Sequence, residues 1–200
     1  MKEVRGQENI RDSILDAADH LLAHYGYKKM SMDDLAQELR ISKATIYQHF
    51  SSKEEVALSR IDRVIDRLKA ELEKISVLSE TASNRLHRML IIRVLFRFDN
   101  VQHYTASVND IMAAIRPALK ARHKRHFAEE AQIFSHVLED GLKQGELAFP
   151  DAFQTAHGLL LATNSLLPYS LSPQELGERQ VIEEQIELIA TMLIHGLIRR

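Results

Sequence analysis

The stretch "SMDDLAQELRISKATIYQHFSSKEE", Ser31 to Glu55, decides the fold of this chain. In three places a serine precedes a run of residues with helical apolar spacing, at Ser31, Ser42 and Ser52. A serine in that position caps a helix by accepting a hydrogen bond from an amide N–H of the first turn. After Ser31 and Ser52, an acidic residue follows three positions later and can complete a capping box. The stretch therefore predicts two short helices and the start of another.

Helices are also predicted on both sides of this stretch. Apolar residues from Ile10 to Tyr25 recur with the helical period, and Gly26 follows as a left-handed C-cap. After Ser52 an apolar stripe continues to about Val77. Three short helices and then a long one form the first part of the chain.

The apolar residues of the remainder also recur with the helical period. Gly and Pro are scarce, and no set of alternating strand-like runs appears. Pro117 suits the first turn of a helix. The further helices are predicted at about 80–98, 103–115, 117–144, 151–167 and 174–198. The fold class is therefore all-α, with about nine helices.

Composition and motifs argue against several classes of function. Cysteine is absent, so neither disulfides nor thiolate chemistry is available. The start of the chain lacks the apolar core of a signal peptide, and the stretch "GLLLATNSLLP" is too short to span a bilayer. There is no glycine-rich phosphate loop, no nucleophile elbow and no H-E-x-x-H, and His123 and His126 lack a third metal ligand. We expect a soluble cytoplasmic protein without catalytic residues, cofactor, metal or membrane partner, with a helical enzyme as the rival class.

The short helices beginning at Ser31 and Ser42 are joined by a tight turn, which is the helix-turn-helix arrangement. The second helix of that motif enters the major groove of DNA. Here it reads "SKATIYQHF", with Ile46 and Phe50 facing inward and polar residues on the outer faces. Lys can reach guanine acceptors and Gln can pair with adenine, so base edges are assigned to Lys43, Ala44 and Gln48. Phosphate oxygens are assigned to Thr45, Tyr47, His49 and Lys53. By composition alone, a solvated polar helix explains these residues equally well.

Overall charge gives no support for nucleic-acid binding. The chain carries a formal net charge of -2, and residues 1–53 contain eight Lys or Arg and eight Asp or Glu. An interface with DNA must therefore depend on where the charges lie.

The segment from Ser13 to Val56 resembles the DNA-binding region of the TetR family of bacterial transcriptional regulators. The similarity is carried by "YGY" before Ser31, by "LAQEL" and above all by "SKATIYQHFSSKEE". The last is close to the family pattern S-K-G-T-L-Y-x-Y/H-F-x-S-K-E. Only about a quarter of the chain takes part, and the spacing matches without gaps.

This resemblance implies an all-helical homodimer that binds a double-stranded DNA operator. It implies a three-helix domain at residues 1–52 and a larger domain for a small-molecule effector and for dimerisation at 53–200. The last two helices would form the dimer interface, which agrees with their dense apolar stripes; completion of a monomer core is the alternative. Ser31 is also among the phosphate contacts that the resemblance implies. Arg40 stands where the family often has Gly, so it has to adopt a strained backbone if the turn has a positive φ, and it is also a candidate phosphate contact.

Candidate effector-binding residues are mainly aromatic or apolar, as pocket walls usually are. They are Arg93, Phe96, His103, Tyr104, Met112, Phe127, Phe134 and Asn164. Arg93 lies in an apolar run and suits an anionic effector, or else is exposed or ion-paired. Asn164 suits a ligand or a hydrogen bond across a dimer interface. The aromatic residues serve equally well as core.

The sequence therefore predicts a dimeric, sequence-specific transcriptional regulator, a repressor released from a pseudo-palindromic operator by a small-molecule effector. A ligand-independent or activating regulator is the alternative. A protein that binds DNA without sequence preference is another, and it predicts affinity governed by salt alone.

Overall fold

The computed structural model describes residues 2–102, 108–167 and 176–198. In these residues the chain forms eight helices and no β-strand, apart from one isolated bridge between Leu147 and Ile198. The helices are α1 (Lys2–Lys29), α2 (Met32–Leu39), α3 (Lys43–His49), α4 (Lys53–Ser76), α5 (Ala82–Gln102), α6 (Val108–Lys143), α7 (Ala152–Asn164) and α8 (Arg179–Leu197). The all-α prediction is confirmed. None of these helices, as far as they are described, combines the length and hydropathy needed to cross a membrane.

The described residues divide into two compact units, each with its own apolar core. The first unit comprises α1 to α3, α4 up to Val64, and α6 up to Ala121. The second comprises α4 from Ile65, α5, α6 from Arg122, α7 and α8. Fully buried residues of the first core include Ile14, Leu35, Ile46 and Val56, and those of the second include Leu68, Leu86, Phe134, Leu160 and Ile186.

The predicted serine caps organise the short helices of the first unit. Ser31 Oγ accepts the amide N–H of Asp34 at 3.2 Å, and the Asp34 carboxylate accepts the amide N–H of Ser31 at 2.8 Å. This reciprocal capping box begins α2. Ser42 Oγ accepts the amide N–H of Thr45 at 3.0 Å, and Ser52 Oγ accepts that of Glu55 at 3.1 Å. The first turns of α2, α3 and α4 thus each have a satisfied donor.

The turn between α2 and α3 depends on an unusual backbone conformation at Arg40. Its φ is 54° and its ψ is 39°, which is the left-handed region. Among the described residues other than glycine, it alone has a positive φ. Its amide donates to Gln37 O at 3.2 Å, and the amide of Ile41 donates to Ala36 O at 3.0 Å, so the last carbonyls of α2 are satisfied as in a Schellman motif. The strained backbone anticipated at Arg40 is confirmed.

The helix boundary predicted at Pro117 is wrong. Instead of separate helices at 103–115 and 117–144, the described residues form one helix, α6, that continues through this proline. Proline removes one backbone donor and disfavours the helix interior. Packing on both sides offsets that cost, because Ile115 is buried in the first core and Leu119 packs against it. The prediction of about nine helices becomes eight in the residues described.

Replacing Arg40 with glycine should stabilise the protein. The left-handed region costs a non-glycine residue about 1–2 kcal/mol, whereas glycine adopts it freely. Part of that gain is lost, because glycine also makes the unfolded chain more flexible. We expect Arg40→Gly to raise the free energy of unfolding by about 0.5–1 kcal/mol. Urea denaturation followed by circular dichroism measures the change.

Gln37→Gly is the matched control, since Gln37 is also exposed but lies inside α2. Glycine there should lower the free energy of unfolding by about 1 kcal/mol. Destabilisation by both substitutions would contradict the proposed strain at Arg40.

Candidate nucleic-acid interface and effector site

Helix α3 separates an inward apolar side from an outward polar side. Ile46 is 0% exposed, and Phe50, at the C-cap, is 1% exposed. The exposed residues of the helix are Lys43, Ala44, Tyr47 and Gln48. This agrees with the predicted orientation. A helix of seven residues is too short to be stable by itself, so its position depends on these buried residues and on its caps.

Arg11, on α1, holds the C-terminal end of α3. Its Nη1 donates to the carbonyl oxygen of His49 at 3.2 Å, and its guanidinium lies 4.4 Å from the centroid of the Phe50 ring. Its Nη2 donates to Ser59 Oγ at 3.0 Å. A cation suits the carbonyl end of a helix, where the backbone dipoles are negative. The sequence analysis missed Arg11, because a single Arg on the polar side of an amphipathic helix gives no distinctive signal.

Lys43 begins α3 and forms an ion pair with Asp33 of α2. Lys43 Nζ lies 2.8 Å from Asp33 Oδ2, and this hydrogen bond raises the pKa of Lys43. Both side chains are at least half exposed. Asp33 therefore orients a neighbouring side chain, and that neighbour is one of the three proposed base-reading residues.

Hydroxyl groups proposed for phosphate contact also support the caps. The hydroxyls of Thr45 and Ser42 lie 2.8 Å apart, and Ser31 Oγ donates to Asp34 Oδ2 at 2.7 Å. Tyr47 differs, since it is 47% exposed. His49 is partly buried, and Arg40 is exposed in the turn.

Lys53 joins the start of α4 to the end of α1. Its Nζ donates to the carbonyl oxygen of Tyr27 at 2.9 Å and lies 4.4 Å from the centroid of the Tyr27 ring. The Tyr27 hydroxyl donates to Glu54 Oε1 at 3.1 Å. Burial, together with this carboxylate, raises the pKa of Tyr27 to about 12. Lys53 therefore has a structural role in the first unit, whatever it contacts beyond the chain.

In the second unit, Arg93 lies at the centre of a buried polar network. Arg93 is 1% exposed, and its Nε donates to Glu130 Oε2 at 2.6 Å. Its Nη1 donates to Thr163 Oγ1 at 3.1 Å, and its Nη2 donates to Asn164 Oδ1 at 3.0 Å. One guanidinium thus links α5, α6 and α7. Arg93 is thus buried and ion-paired in this structure, and its contact with an effector stays a prediction.

Glu130, which is 0% exposed, also pairs with Arg97. Burial alone would raise the pKa of Glu130, but the charges of Arg97 and Arg93 outweigh it and lower that pKa. The carboxylate is therefore ionised inside the unit. Phe127 lies on one side of the network, with its ring centroid 5.8 Å from Arg93 Cζ.

The other predicted effector residues fall into three groups. Phe127 and Phe134 are buried in the second core, whereas Phe96 packs at its edge and lines an open groove of about 440 Å³ with Ile92 and Leu95. Asn164 is half-buried and accepts the Arg93 hydrogen bond. His103 and Tyr104 lie outside the described residues, and so does the side chain of Met112. Where side chains are described, no three His, Asp or Glu residues converge as metal ligands would.

Comparisons with known proteins find similarity in the first part of the chain. Residues 14–59 match the family model of bacterial regulatory proteins, tetR family. Over 88 residues the chain is 33% identical to the HTH-type transcriptional activator FasR of Mycolicibacterium smegmatis, covering 44% of this chain and 39% of FasR. Over 81 residues it is 36% identical to the nucleoid occlusion factor SlmA of Vibrio vulnificus, covering 34% of this chain and 41% of SlmA. The chain thus spans about two fifths of the length of these relatives.

The fold as a whole is shared with solved structures. A crystal structure of a transcriptional regulator of the TetR/AcrR family from Thermobifida fusca matches with a TM-score of 0.70. The match covers 96% of this chain and 100% of that chain, at 23% sequence identity. Identity at that level establishes the fold alone. None of these three similar proteins is described as an enzyme.

Replacing Arg93 with methionine should strongly destabilise the protein. Methionine fills similar space but leaves Thr163, Asn164 and half of the Glu130 carboxylate without their donor in a buried site. We expect the free energy of unfolding to fall by about 3 kcal/mol. Thermal or urea denaturation measures the loss.

Arg88→Met is the matched control, because Arg88 lies on the same helix and pairs with Glu80, but its side chain is 50% exposed. Its effect should stay within about 0.5 kcal/mol. Equal effects of the two substitutions would show that the buried network does not stabilise the unit.

Proposed function

We propose that this chain, a member of the tetR family of bacterial regulatory proteins through its residues 14–59, is a dimeric, sequence-specific DNA-binding regulator of transcription. It acts in the cytoplasm, represses by occupying a pseudo-palindromic operator, and is released by a small-molecule effector. Residues 1–52 are the proposed DNA-binding domain, and residues 53–200 the proposed effector-binding and dimerisation domain.

The arrangement of α3 is the observation that carries this proposal. A short helix follows a tight turn, buries Ile46 and Phe50, and exposes Lys43, Ala44 and Gln48 along one outer side. In a helix-turn-helix, residues near the start of the second helix approach base edges in the major groove. Lys43, Ala44 and Gln48 are the proposed base contacts. The proposed backbone contacts are Ser31, Arg40, Thr45, Tyr47, His49 and Lys53.

Self-association through α7 and α8 is proposed from the apolar residues that these helices leave exposed. Leu161 is 54% exposed on α7, and Leu188 and Met192 are 62% and 66% exposed on α8. An added Cβ at Gly158 or Gly196 meets nothing within 4 Å, so a second helix can approach these backbones closely. Contiguous exposed apolar residues on a soluble domain mark interaction surfaces. A dimer would present two copies of α3 about 34–36 Å apart, one turn of DNA.

Effector control is proposed to act on the DNA-binding competence of that dimer. The described effector candidates are Arg93, Phe96, Phe127, Phe134 and Asn164, and His103, Tyr104 and Met112 complete the proposed set. An effector shifts the equilibrium only as far as it prefers the DNA-incompetent state. Activation is the second candidate for direction, since the similar protein FasR is described as an activator.

Selection on random duplex DNA tests the proposal. The purified protein is incubated with the pool at near-physiological salt, and bound sequences are read over successive rounds. We expect a two-fold-symmetric consensus, because two identical α3 helices read related half-sites. Enrichment of no sequence, with binding that depends on salt alone, would contradict sequence-specific regulation.

Variants of α3 test the assignment of contacts on the selected site. Gln48→Ala should change the preference among bases at one position of each half-site, by about 1–3 kcal/mol. Tyr47→Phe should weaken all sites alike, because a phosphate contact carries no base information. Fluorescence anisotropy with a panel of single-base variants separates these outcomes. Gln37→Ala, an exposed glutamine of α2, is the control and should leave both affinity and preference unchanged.

Leu188→Glu tests the interface. A carboxylate in the middle of an apolar contact is desolvated without a partner. The dissociation constant of the dimer should therefore rise by at least about two orders of magnitude. Light scattering coupled to size exclusion measures the mass. Leu142→Glu is the control, because Leu142 is 48% exposed but lies on α6, outside the proposed surface. A Leu188→Glu variant that stays dimeric would place the interface elsewhere.

A further inference from the structure

Lys43, a proposed base contact, is not an isolated cation. Its Nζ lies 2.8 Å from Oδ2 of Asp33, which belongs to the neighbouring helix α2. The side chain of Lys43 is 50% exposed and that of Asp33 is 68% exposed. Both members of the pair are therefore open to a molecule that approaches α3 from outside. A DNA duplex that meets Lys43 there also meets a carboxylate.

The pair lies at the start of α3, where the helix has no negative charge of its own. The first turn of α3 contains no acidic residue. A cation in the first turn is disfavoured by the backbone dipoles. Asp33 supplies the missing charge from α2, and the hydrogen bond between the two side chains raises the pKa of Lys43. The ammonium is thus held beside the carboxylate, although solvent keeps the attraction between them weak.

A phosphate group bound at α3 would come close to Lys43 as well. Tyr47, a proposed phosphate contact, is 47% exposed and follows Lys43 by four residues on the same helix. Side chains at that spacing lie on one side of a helix. Phosphate is the strongest attraction that DNA offers to a cation, and it is the same at every sequence. A lysine in this position therefore contributes to specificity only if something opposes its contact with phosphate.

The Asp33 carboxylate affects a phosphate and a base acceptor differently. An ammonium has three N–H donors, and Asp33 accepts from one of them. A phosphate that accepts from another donor brings a second negative charge close to the carboxylate, and the two charges repel each other. The O6 and N7 acceptors of guanine carry no formal charge. They can accept from the same ammonium without that repulsion.

We propose that Asp33 is a specificity-determining residue, which weakens the contact of Lys43 with phosphate and leaves its ammonium available to guanine. The inference rests on the proposed function, because it takes Lys43 as a base contact. Asp33 acts through Lys43 and is a positioning residue. Phosphates occur at every site and a suitably placed guanine only at some. A penalty on phosphate contact therefore lowers non-specific binding more than specific binding.

Asp33→Asn tests the proposal, because it removes the charge and nearly keeps the shape. Affinity for a duplex without the selected site should rise several-fold. The dependence of log Kd on log salt should steepen by about 0.9 for each Lys43 that gains a phosphate. Preference at the base pair read by Lys43 should fall by about fivefold, at the low end of what one base contact contributes. Unchanged preference would overturn the proposal.

Fluorescence anisotropy of the full chain measures these quantities at several salt concentrations, on the selected site and on its single-base variants. The base pair read by Lys43 is the one at which Lys43→Met loses its preference. Loss at no position in Lys43→Met would overturn the proposal, since Asp33 would then have no base contact to protect.

Glu38→Gln is the matched control. It also removes one negative charge from α2, but Glu38 pairs with His20 of α1, at 3.2 Å, and not with a residue of α3. It should leave base preference unchanged. Equal changes in Glu38→Gln and Asp33→Asn would mean that only the overall charge of the protein matters. That result would refute the specific role of Asp33.

A second background separates action through Lys43 from action on the fold. In Lys43→Met, the added Asp33→Asn should change affinity and salt dependence no more than Glu38→Gln does. A full effect of Asp33→Asn without Lys43 would refute the proposal. Asp33→Ser removes the same charge with a shorter side chain and guards against a folding defect in the asparagine variant. Wild-type preference in folded Asp33→Ser would also overturn it.

Failure of this inference is distinct from failure of the regulatory function. If the wild type selects a two-fold-symmetric site and Asp33→Asn keeps its preference, the inference fails and the proposed function stands. If the wild type selects no site, the proposed function fails, and this inference fails with it.

Discussion

A seven-residue helix has to be held in place from outside, and this constraint governs the first unit. Nucleation of so short a helix is unfavourable in water, so α3 exists because its two ends and its inner side are fixed. Ser42 satisfies a donor at its start, and Arg11 donates to a carbonyl at its end. Ile46 and Phe50 fix its rotation by filling the core. The side chains on the outer side of α3 are then not needed for packing in the core, which is the property that a DNA-reading surface requires.

Much of this arrangement could be predicted from the sequence, because caps and apolar spacing are local signals. The capping box at Ser31, the inward direction of Ile46 and the strain at Arg40 follow from residues within a few positions of each other. The family resemblance was confirmed for the same reason, since its motif lies within that segment. Pro117 shows the limit: propensity favours a helix start there, and packing of Ile115 and Leu119 overrides it. Contacts between distant positions, such as that of Arg11 with His49, leave no periodic pattern to read.

The polar network of the second unit was less predictable, since an arginine in an apolar run has the same sequence signature whether it contacts a ligand or a carboxylate. Arg93 and Glu130 are 37 residues apart, and nothing in the spacing of either helix links them. For the same reason the sequence could not predict that Arg97, four residues further along α5, pairs with the same carboxylate.

Burial distinguishes the ion pair of Lys43 from that of Arg93. Lys43 is paired with Asp33 at 2.8 Å, yet half of its side chain is exposed, so the pair is weak in water and a base or phosphate can compete for the ammonium. Arg93 and Arg97 share Glu130 in a buried setting, where the attraction between the charges is stronger because water screens it less. The exposed pair can therefore exchange partners rapidly, as the proposed contact of Lys43 with DNA requires. The buried cluster is held in place, because separating Arg93 from Glu130 would leave an uncompensated charge in a site that solvent hardly reaches.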